Sequence, residues 1–171
     1  PLSNLIKKAD AFLKAGAYML MLESEGITEG LPVKKWRTDV LLKNNRLLSV
    51  ITFPEDLFYP ISVGTVGLFI KRGTPHNFEY DNVYFARCIN DGFAKKKGIR
   101  KENDKIRNIL EEIKEELKQF IKNQDMNIKS IPELKIVCKL DKNDKDCELV
   151  PEAYIDDKIP SEEEIERGVE E

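Results

Sequence analysis

The sequence has three cysteines, one histidine and no long apolar run, and each shortage excludes a class of protein. The cysteines are too few and too scattered for a disulfide framework, and with a single histidine they form no zinc-ligand spacing. The longest apolar stretch, residues 15–22, is far too short to span a bilayer, and the first residues lack a signal-peptide pattern. We therefore expect a cytoplasmic protein with no membrane partner.

Motifs that hold cofactors are also missing. The chain contains no Gly-x-Gly turn after a strand, no Gly-Lys-Ser/Thr phosphate loop and no adjacent pair of prolines. The residues alone therefore predict no cofactor site and no metal site. Because the chain begins Pro1-Leu2-Ser3 without methionine, we also expect that an upstream part of the protein is missing.

The composition that is present suits one globular domain. Apolar residues make up 41% of the 171 positions, which is enough for a core, and charged residues make up 35%. The charge is uneven, because residues 141–171 hold 4 basic and 13 acidic residues, whereas residues 1–140 hold 24 basic and 18 acidic ones. A basic body with an acidic extension can attract a polyanion on one face and repel it on another, although a solvated acidic end explains the same numbers.

The order of periodic segments predicts an α/β fold. Helical spacing of apolar residues, or an acidic helix start, predicts helices at 3–14, 33–43, 101–123 and after Ser161. Apolar or alternating runs predict strands at 17–22, 47–53, 64–70, 83–89 and 134–140. An irregular loop at 54–63 separates the second of these strands from the third.

A basic cluster precedes the predicted long helix, in what we expect to be a loop. It consists of Lys95, Lys96, Lys97, Arg100 and Lys101. Lysine and arginine side chains in a loop bind phosphates without reading the base sequence, and counterions are released as they bind. The cluster therefore predicts phosphate contacts, with a solvated run of charge as the equal alternative.

The loop at 54–63 carries an aromatic pair, Phe58-Tyr59, between two predicted buried strands. An enzyme that acts on a base turns it out of the duplex, and an aromatic ring offers a surface on which that base stacks. By pattern alone, packing of Phe58 in the core is the favoured interpretation, and the loop is also a candidate base-stacking site.

Two further candidates have less support from the sequence. His76 lies in a Thr-Pro-His-Asn loop with no obvious carboxylate or cysteine partner nearby in sequence, so we expect a surface loop residue. Glu133 and Lys135 have the Glu-x-Lys spacing of metal-dependent nucleases, in which carboxylates hold Mg²⁺, but no upstream aspartate supports that site.

The order of the segments resembles the amino-methyltransferases that act on DNA adenine, and especially the modification subunits of type I restriction systems. The resemblance covers roughly residues 5–155 and rests on the combination of its parts. These parts are residues 11–20 with the Leu13-Lys14-Ala15-Gly16 passage, residues 36–42 with 47–54, residues 56–60 with 63–71, residues 83–86 with 90–92, and residues 148–154.

This resemblance implies the second half of a doubly wound, Rossmann-like methyltransferase sheet that ends in an antiparallel hairpin, followed by a long helix and an acidic extension. It divides the chain into a catalytic-domain half (1–92), a basic loop with helix and strand (93–140) and the extension (141–171). S-adenosylmethionine would be the methyl donor of the intact enzyme and adenine N6 in DNA the acceptor. The residue that stacks on the everted adenine would be Phe58 or, less readily, Tyr59.

Two motifs of that family are absent: its glycine-rich donor loop and its Asn-Pro-Pro-Tyr/Phe tetrapeptide. We therefore expect an inactive fragment with no catalytic residue and no cofactor of its own. Its expected partners are DNA, the missing N-terminal half and restriction–modification subunits. The rival hypothesis is a non-enzymatic module that binds a partner, or a second copy of itself, through the open edge of the strand at 17–22.

Overall fold

The computed structural model describes residues 18–24, 31–123, 134–144 and 147–155. The helices are α1 (Leu31–Trp36), which continues as a π-helical segment (Arg37–Leu42), and α2 (Ile109–Asn123), with a 3₁₀ turn at Pro151–Ala153. The strands are β1 (Tyr18–Ser24), β2 (Asn45–Phe53), β3 (Thr65–Arg72), β4 (Asn82–Arg87), β5 (Phe93–Lys96), β6 (Ile99–Glu102) and β7 (Lys135–Lys139).

One mixed sheet forms the centre of the described part, in the order β1-β3-β2-β4-β7, beside a separate β5-β6 hairpin. β3 runs antiparallel to both β1 and β2, β4 runs parallel to β2, and β7 runs antiparallel to β4. The predicted α/β class is confirmed, and each predicted strand lies within two residues of its expected ends. β2 and β3 form the antiparallel pair that the resemblance implies.

The sheet is buried on both faces because successive side chains of a strand point to opposite sides. On β4, Val83 and Phe85 enter one core, whereas Tyr84 and Ala86 enter the other. The helix α2 covers the second core with the buried side chains of Ile109, Ile113 and Phe120. The first core is covered by the π-helical segment and by apolar residues of the C-terminal part, namely Leu140, Leu149 and Ile155.

A buried arginine ties the π-helical segment to the C-terminal part. The Arg37 side chain is fully buried, and its Nε donates a hydrogen bond of 2.6 Å to the Cys147 carbonyl. Nearby, the Tyr154 ring stacks on Phe85 at a centroid distance of 4.2 Å. The beginning of the acidic extension is therefore part of the folded core, as far as Ile155.

The structure corrects the prediction for residues 93–108. Residues 93–102 form the β5–β6 hairpin in place of a loop and the start of a helix, residues 103–108 connect the hairpin to α2, and α2 begins only at Ile109. The hairpin turn is made by Lys97 and Gly98, both with positive φ (51° and 78°), a geometry that glycine adopts without strain. Asn108 then caps the helix, since its Oδ1 accepts a 3.0 Å hydrogen bond from the Glu111 N–H.

Other predictions concern the boundaries of the chain's parts. β7, from the predicted middle part, pairs with β4 of the predicted catalytic half, so these two parts share one sheet. The expected helices at 3–14 and after Ser161 lie outside the described residues. None of the described helices combines the length and apolar character needed to cross a bilayer.

Candidate nucleic-acid interface

The candidate site lies at the edge of the sheet where the parallel strands β2 and β4 both end. The loop 54–63 follows β2 at this edge, and residues 88–92 lead from β4 into the β5–β6 hairpin. In sheets with parallel strands, ligands bind outside the carboxyl ends of those strands. The topology therefore brings the aromatic loop and the basic cluster, which are more than 30 residues apart in sequence, to one edge.

The loop 54–63 presents its apolar side chains to solvent. Phe58, Ile61 and Val63 are 47%, 65% and 42% exposed, so Phe58 is not packed in the core. The backbone of the loop is nevertheless ordered by its own hydrogen bonds, including Val63 N–H to Glu55 carbonyl at 2.9 Å and Ile61 N–H to Phe58 carbonyl at 3.1 Å. An exposed aromatic ring on a fixed backbone can stack on a flat ligand at little cost in conformational entropy.

Tyr59 has a different environment from its neighbour. Its ring is half-buried, and its Oη accepts a 2.8 Å hydrogen bond from the Gly98 N–H at the hairpin turn. This bond joins the loop to the tip of the hairpin. It occupies the Tyr59 hydroxyl and leaves Phe58 as the exposed ring of the pair.

The β5–β6 register divides the basic cluster between two faces. Lys95 pairs with Arg100, and Lys96 pairs with Ile99. Cross-strand partners lie on the same face of a hairpin, and successive residues of a strand point to opposite faces. Lys95 and Arg100 therefore point one way, while Lys96, Ile99 and Lys101 point the other. We call the second set, together with Lys97 at the turn, the outer face of the hairpin.

The opposite face of the hairpin, which carries Lys95 and Arg100 and which we call the inner face, is bound by the carboxylate of Asp91. This carboxylate is 2% exposed, and its Oδ2 lies 2.9 Å from both Lys95 Nζ and Arg100 Nη2. Lys95 Nζ also lies 2.7 Å from Asp56 Oδ1, and the Arg100 guanidinium lies 4.2 Å from the centre of the Phe93 ring. Burial alone would lower the pKa of Lys95, but its hydrogen bonds to Asp56 and Asp91 raise it, so the ammonium keeps its proton.

The five residues predicted to contact phosphates lie in different environments. The Lys95 side chain is 6% exposed and is bonded to two carboxylates, and Arg100 shares one of them. Lys96, Lys97 and Lys101 are exposed on the outer face. The sequence showed five equivalent charges, whereas the structure places Lys95 and the partly exposed Arg100 in an ion-pair network with Asp91 and leaves the other three exposed.

A cleft of about 510 Å³ opens beside the loop at the same edge. Its lining residues are Thr52, Phe53, Pro54, Glu55, Arg87, Cys88, Ile89, Val150 and Glu152. The Arg87 Nε lies 2.9 Å from Glu152 Oε1.

The remaining sequence candidates have structural positions. His76 is buried, contrary to the expected surface position: its Nδ1 lies 3.8 Å from Asp81 Oδ2, and its ring meets Phe78 edge-on at 5.3 Å. Lys135 is buried and ion-paired with Glu116, which also accepts a 2.8 Å hydrogen bond from the Tyr84 hydroxyl. Glu133 lies outside the described residues, and in the described part no group of histidine, cysteine or acidic residues is arranged to hold a metal ion.

The cysteines are not activated thiols. Cys88 and Cys147 are buried and Cys138 is partly buried, and all three are free. Burial raises the pKa of Cys88 to about 12 and that of Cys138 to about 11, and it raises the pKa of Cys147 as well. All three are therefore protonated near neutral pH and are poor nucleophiles.

The described part of the chain is a mixed α/β protein in which β2 and β3 form an antiparallel pair, with the exposed aromatic loop between these two strands. The family model described as N-6 DNA Methylase matches residues 16–163. The chain therefore belongs to the N-6 DNA methylase family. A comparison with curated proteins gave no match.

Solved structures of methyltransferase subunits are similar to the chain over part of their length. One is the type I restriction–modification methyltransferase subunit from Streptococcus thermophilus (18% identity, TM-score 0.49, 71% of this chain and 23% of that one). Another is a modification subunit of a putative type I restriction enzyme from Vibrio vulnificus YJ016 (18% identity, TM-score 0.46, 74% of this chain and 23% of that one). The chain thus spans about a quarter of the length of these structures.

Proposed function

We propose that this chain is the C-terminal part of an adenine-N6 DNA methyltransferase of a restriction–modification system, and that it supplies contacts to the target base and to the DNA backbone. Phe58 is the stacking surface for the everted adenine. Lys96, Lys97 and Lys101 contact phosphates, while Lys95 and Arg100 hold the hairpin against the loop. Membership of the N-6 DNA methylase family supports the reaction class.

The observation that carries this proposal is the exposure of Phe58 on an ordered loop. A large aromatic side chain that is 47% exposed gives up burial that would stabilise the fold, and three lysines are exposed on a hairpin that is hydrogen-bonded to the same loop. An aromatic surface next to positive charge suits a nucleic acid, because bases stack on rings and phosphates bind cations.

Methyl transfer itself is assigned to the intact enzyme, with S-adenosylmethionine as donor. The chain alone is expected to transfer no methyl group to DNA, because its sequence lacks the glycine-rich donor loop and the Asn-Pro-Pro motif of the family it resembles. The measurement is incorporation of labelled methyl groups from S-adenosylmethionine into duplex DNA. Turnover above the level of a heat-denatured sample would contradict this expectation.

Substitution of Phe58 by alanine tests the stacking surface. The wild-type chain should bind a duplex with one mispaired adenine more tightly than a fully paired duplex, because an unpaired base is everted at lower cost. Phe58→Ala should weaken binding to the mispaired duplex by about tenfold, since stacking of one base on a ring contributes about 1–3 kcal/mol. Fluorescence anisotropy with labelled duplexes measures both affinities.

The matched controls lie in the same loop of the chain. Ile61→Ala removes another exposed apolar side chain of the loop and should change neither affinity, whereas Phe58→Trp keeps a ring and should retain the preference for the mispaired duplex. Equal affinities of wild type and Phe58→Ala for the mispaired duplex would overturn the assignment of Phe58.

A second candidate function is favoured by the position of β1. In the part of the chain that the structure describes, β1 is an edge strand that pairs only with β3. An open edge of this kind can accept a strand from another chain, which suits a non-enzymatic partner-binding module or a homo-oligomer. Light scattering of the chain with and without duplex DNA separates the two candidates, because it reports the mass of the particles in solution. A stable oligomer whose mass does not change when DNA is added would favour the module.

A further inference from the structure

The hairpin tip carries an exposed apolar side chain among lysines. Ile99 is 67% exposed, and its neighbours on the outer face are Lys96, its cross-strand partner, Lys97 at the turn and Lys101, two residues further along β6. Four-residue strands leave the side chains at the tip well away from both cores of the sheet. An isoleucine at this place stabilises neither core, and its apolar surface is available to a ligand.

We propose that Ile99 is a wedge that enters duplex DNA between base pairs and fills the space left by the everted base. The proposal rests on the DNA-binding function above and adds a second apolar contact to it. Apolar side chains inserted between base steps unstack the duplex locally, and a two-stranded β-ribbon fits a DNA groove. The occupant is duplex DNA because three exposed cations surround the side chain, which would oppose a basic protein surface and attract phosphates.

A hydrogen bond and an ion pair between the hairpin and the loop fix the position of Ile99 relative to Phe58. The Gly98 N–H donates to Tyr59 Oη at 2.8 Å, and Gly98 and Tyr59 are the chain neighbours of Ile99 and Phe58. Lys95 adds its 2.7 Å ion pair to Asp56, two residues before Phe58. The two exposed apolar side chains therefore belong to one connected unit, so that insertion of Ile99 and stacking on Phe58 occur on the same stretch of duplex.

The test uses a duplex that already contains the gap. The full chain is titrated with an intact duplex and with the same duplex carrying one tetrahydrofuran abasic site, which has no base for Phe58 to stack on. The wild type should prefer the abasic duplex by about tenfold, because an apolar side chain fills the gap without the cost of unstacking. Ile99→Ala should bind the two duplexes within about twofold of each other, and Ile99→Leu should keep the preference.

Three controls separate this wedge from the other interactions with DNA. Combined replacement of Lys96, Lys97 and Lys101 by alanine should weaken both duplexes equally and reduce the dependence of affinity on salt, by about 0.9 in logarithmic slope for each phosphate that a lysine no longer neutralises. Phe58→Ala should retain the preference for the abasic duplex. Tyr80→Ala removes an exposed aromatic side chain at the opposite edge of the sheet and should behave as the wild type.

The outcomes distinguish the two proposals. A wild-type chain that binds neither duplex at low salt overturns the proposed function and the wedge together. A wild-type chain that binds DNA, with an abasic preference that Ile99→Ala leaves unchanged or with no abasic preference, overturns the wedge alone. Loss of the preference in Ile99→Ala, with unchanged affinity for the intact duplex, supports it.

Discussion

Replacement of Asp91 by alanine should lower the free energy of unfolding by about 3 kcal/mol, because it removes the common partner of two buried or half-buried cations. Asp91 is 2% exposed, and without it Asp56 is the one carboxylate ion-paired with Lys95 among the described residues. The Phe93 N–H also loses its acceptor, since Asp91 Oδ1 lies 3.2 Å from that nitrogen. Urea unfolding followed by circular dichroism measures the loss.

The same variant should loosen the hairpin, because Asp91 is the shared ion-pair partner of Lys95 on β5 and Arg100 on β6. Trypsin cleaves after lysine, so cleavage at Lys96 and Lys97 should become faster in Asp91→Ala than in the wild type, and the Phe58 loop should exchange its amide hydrogens faster. Asp56→Asn is the matched control: its side chain is 50% exposed, and removal of this single charge should cost less than about 1 kcal/mol. Equal stability of the two variants would show that Asp91 is not the centre of the network.

Acidification from pH 7 to pH 4 should destabilise the chain through His76. The pKa of His76 is lowered to about 4, mainly by burial and also by the positive charge of Arg46, while the negative charge of Asp81 opposes this shift. Above the unfolded pKa of 6.5 both states are neutral at this residue, so it adds no pH dependence there. Between pH 6.5 and 4 the unfolded chain binds a proton that the folded chain does not, and a shift of this size corresponds to at most about 3 kcal/mol.

His76→Leu isolates this effect, because leucine has no titratable group. Its free energy of unfolding at pH 7 should equal or exceed that of the wild type, since neither ring nitrogen of His76 has a hydrogen-bond partner among the described residues. The advantage of the variant should then grow as the pH falls to 4. Parallel pH curves for the two proteins would show that His76 takes up a proton equally well in both states.

The sheet could be predicted from the sequence, whereas the hairpin could not. The five strands of the sheet are apolar or alternating runs bounded by glycine, proline or asparagine, and burial on both faces accounts for that pattern on the central strands β2, β3 and β4. β5 and β6 contain four basic residues among eight, so they lack the apolar alternation on which strand prediction depends. The Lys97-Gly98 turn between two four-residue segments was the available signal, because glycine readily adopts the positive φ of a tight hairpin.

The sequence identifies the candidate residues of the site but not their environments, because exposure and strand register depend on the tertiary structure. The sequence places Phe58 in a loop but leaves its exposure open, and only the packing of the strands on either side decides that it faces solvent. Lys95 and Lys96 point to opposite faces because of the register between β5 and β6. The sequence predicted a loop for this segment, and a loop gives no basis for assigning side chains to faces. His76 is surrounded by polar residues in sequence, so its burial against Phe78 and Asp81 follows from tertiary structure that no local pattern records.

The bond from Arg37 to the Cys147 carbonyl sets a limit on how far the chain can be trimmed from its acidic end. Residues 156–171 hold eight acidic and two basic residues, so their removal should strengthen attachment to a polyanion. A cut before Cys147 would instead take an acceptor from a fully buried guanidinium and remove Tyr154 from the face of Phe85. A chain that ends after Ile155 keeps the Arg37–Cys147 bond, the Tyr154–Phe85 stack and the buried Ile155 side chain, while it loses the eight acidic residues.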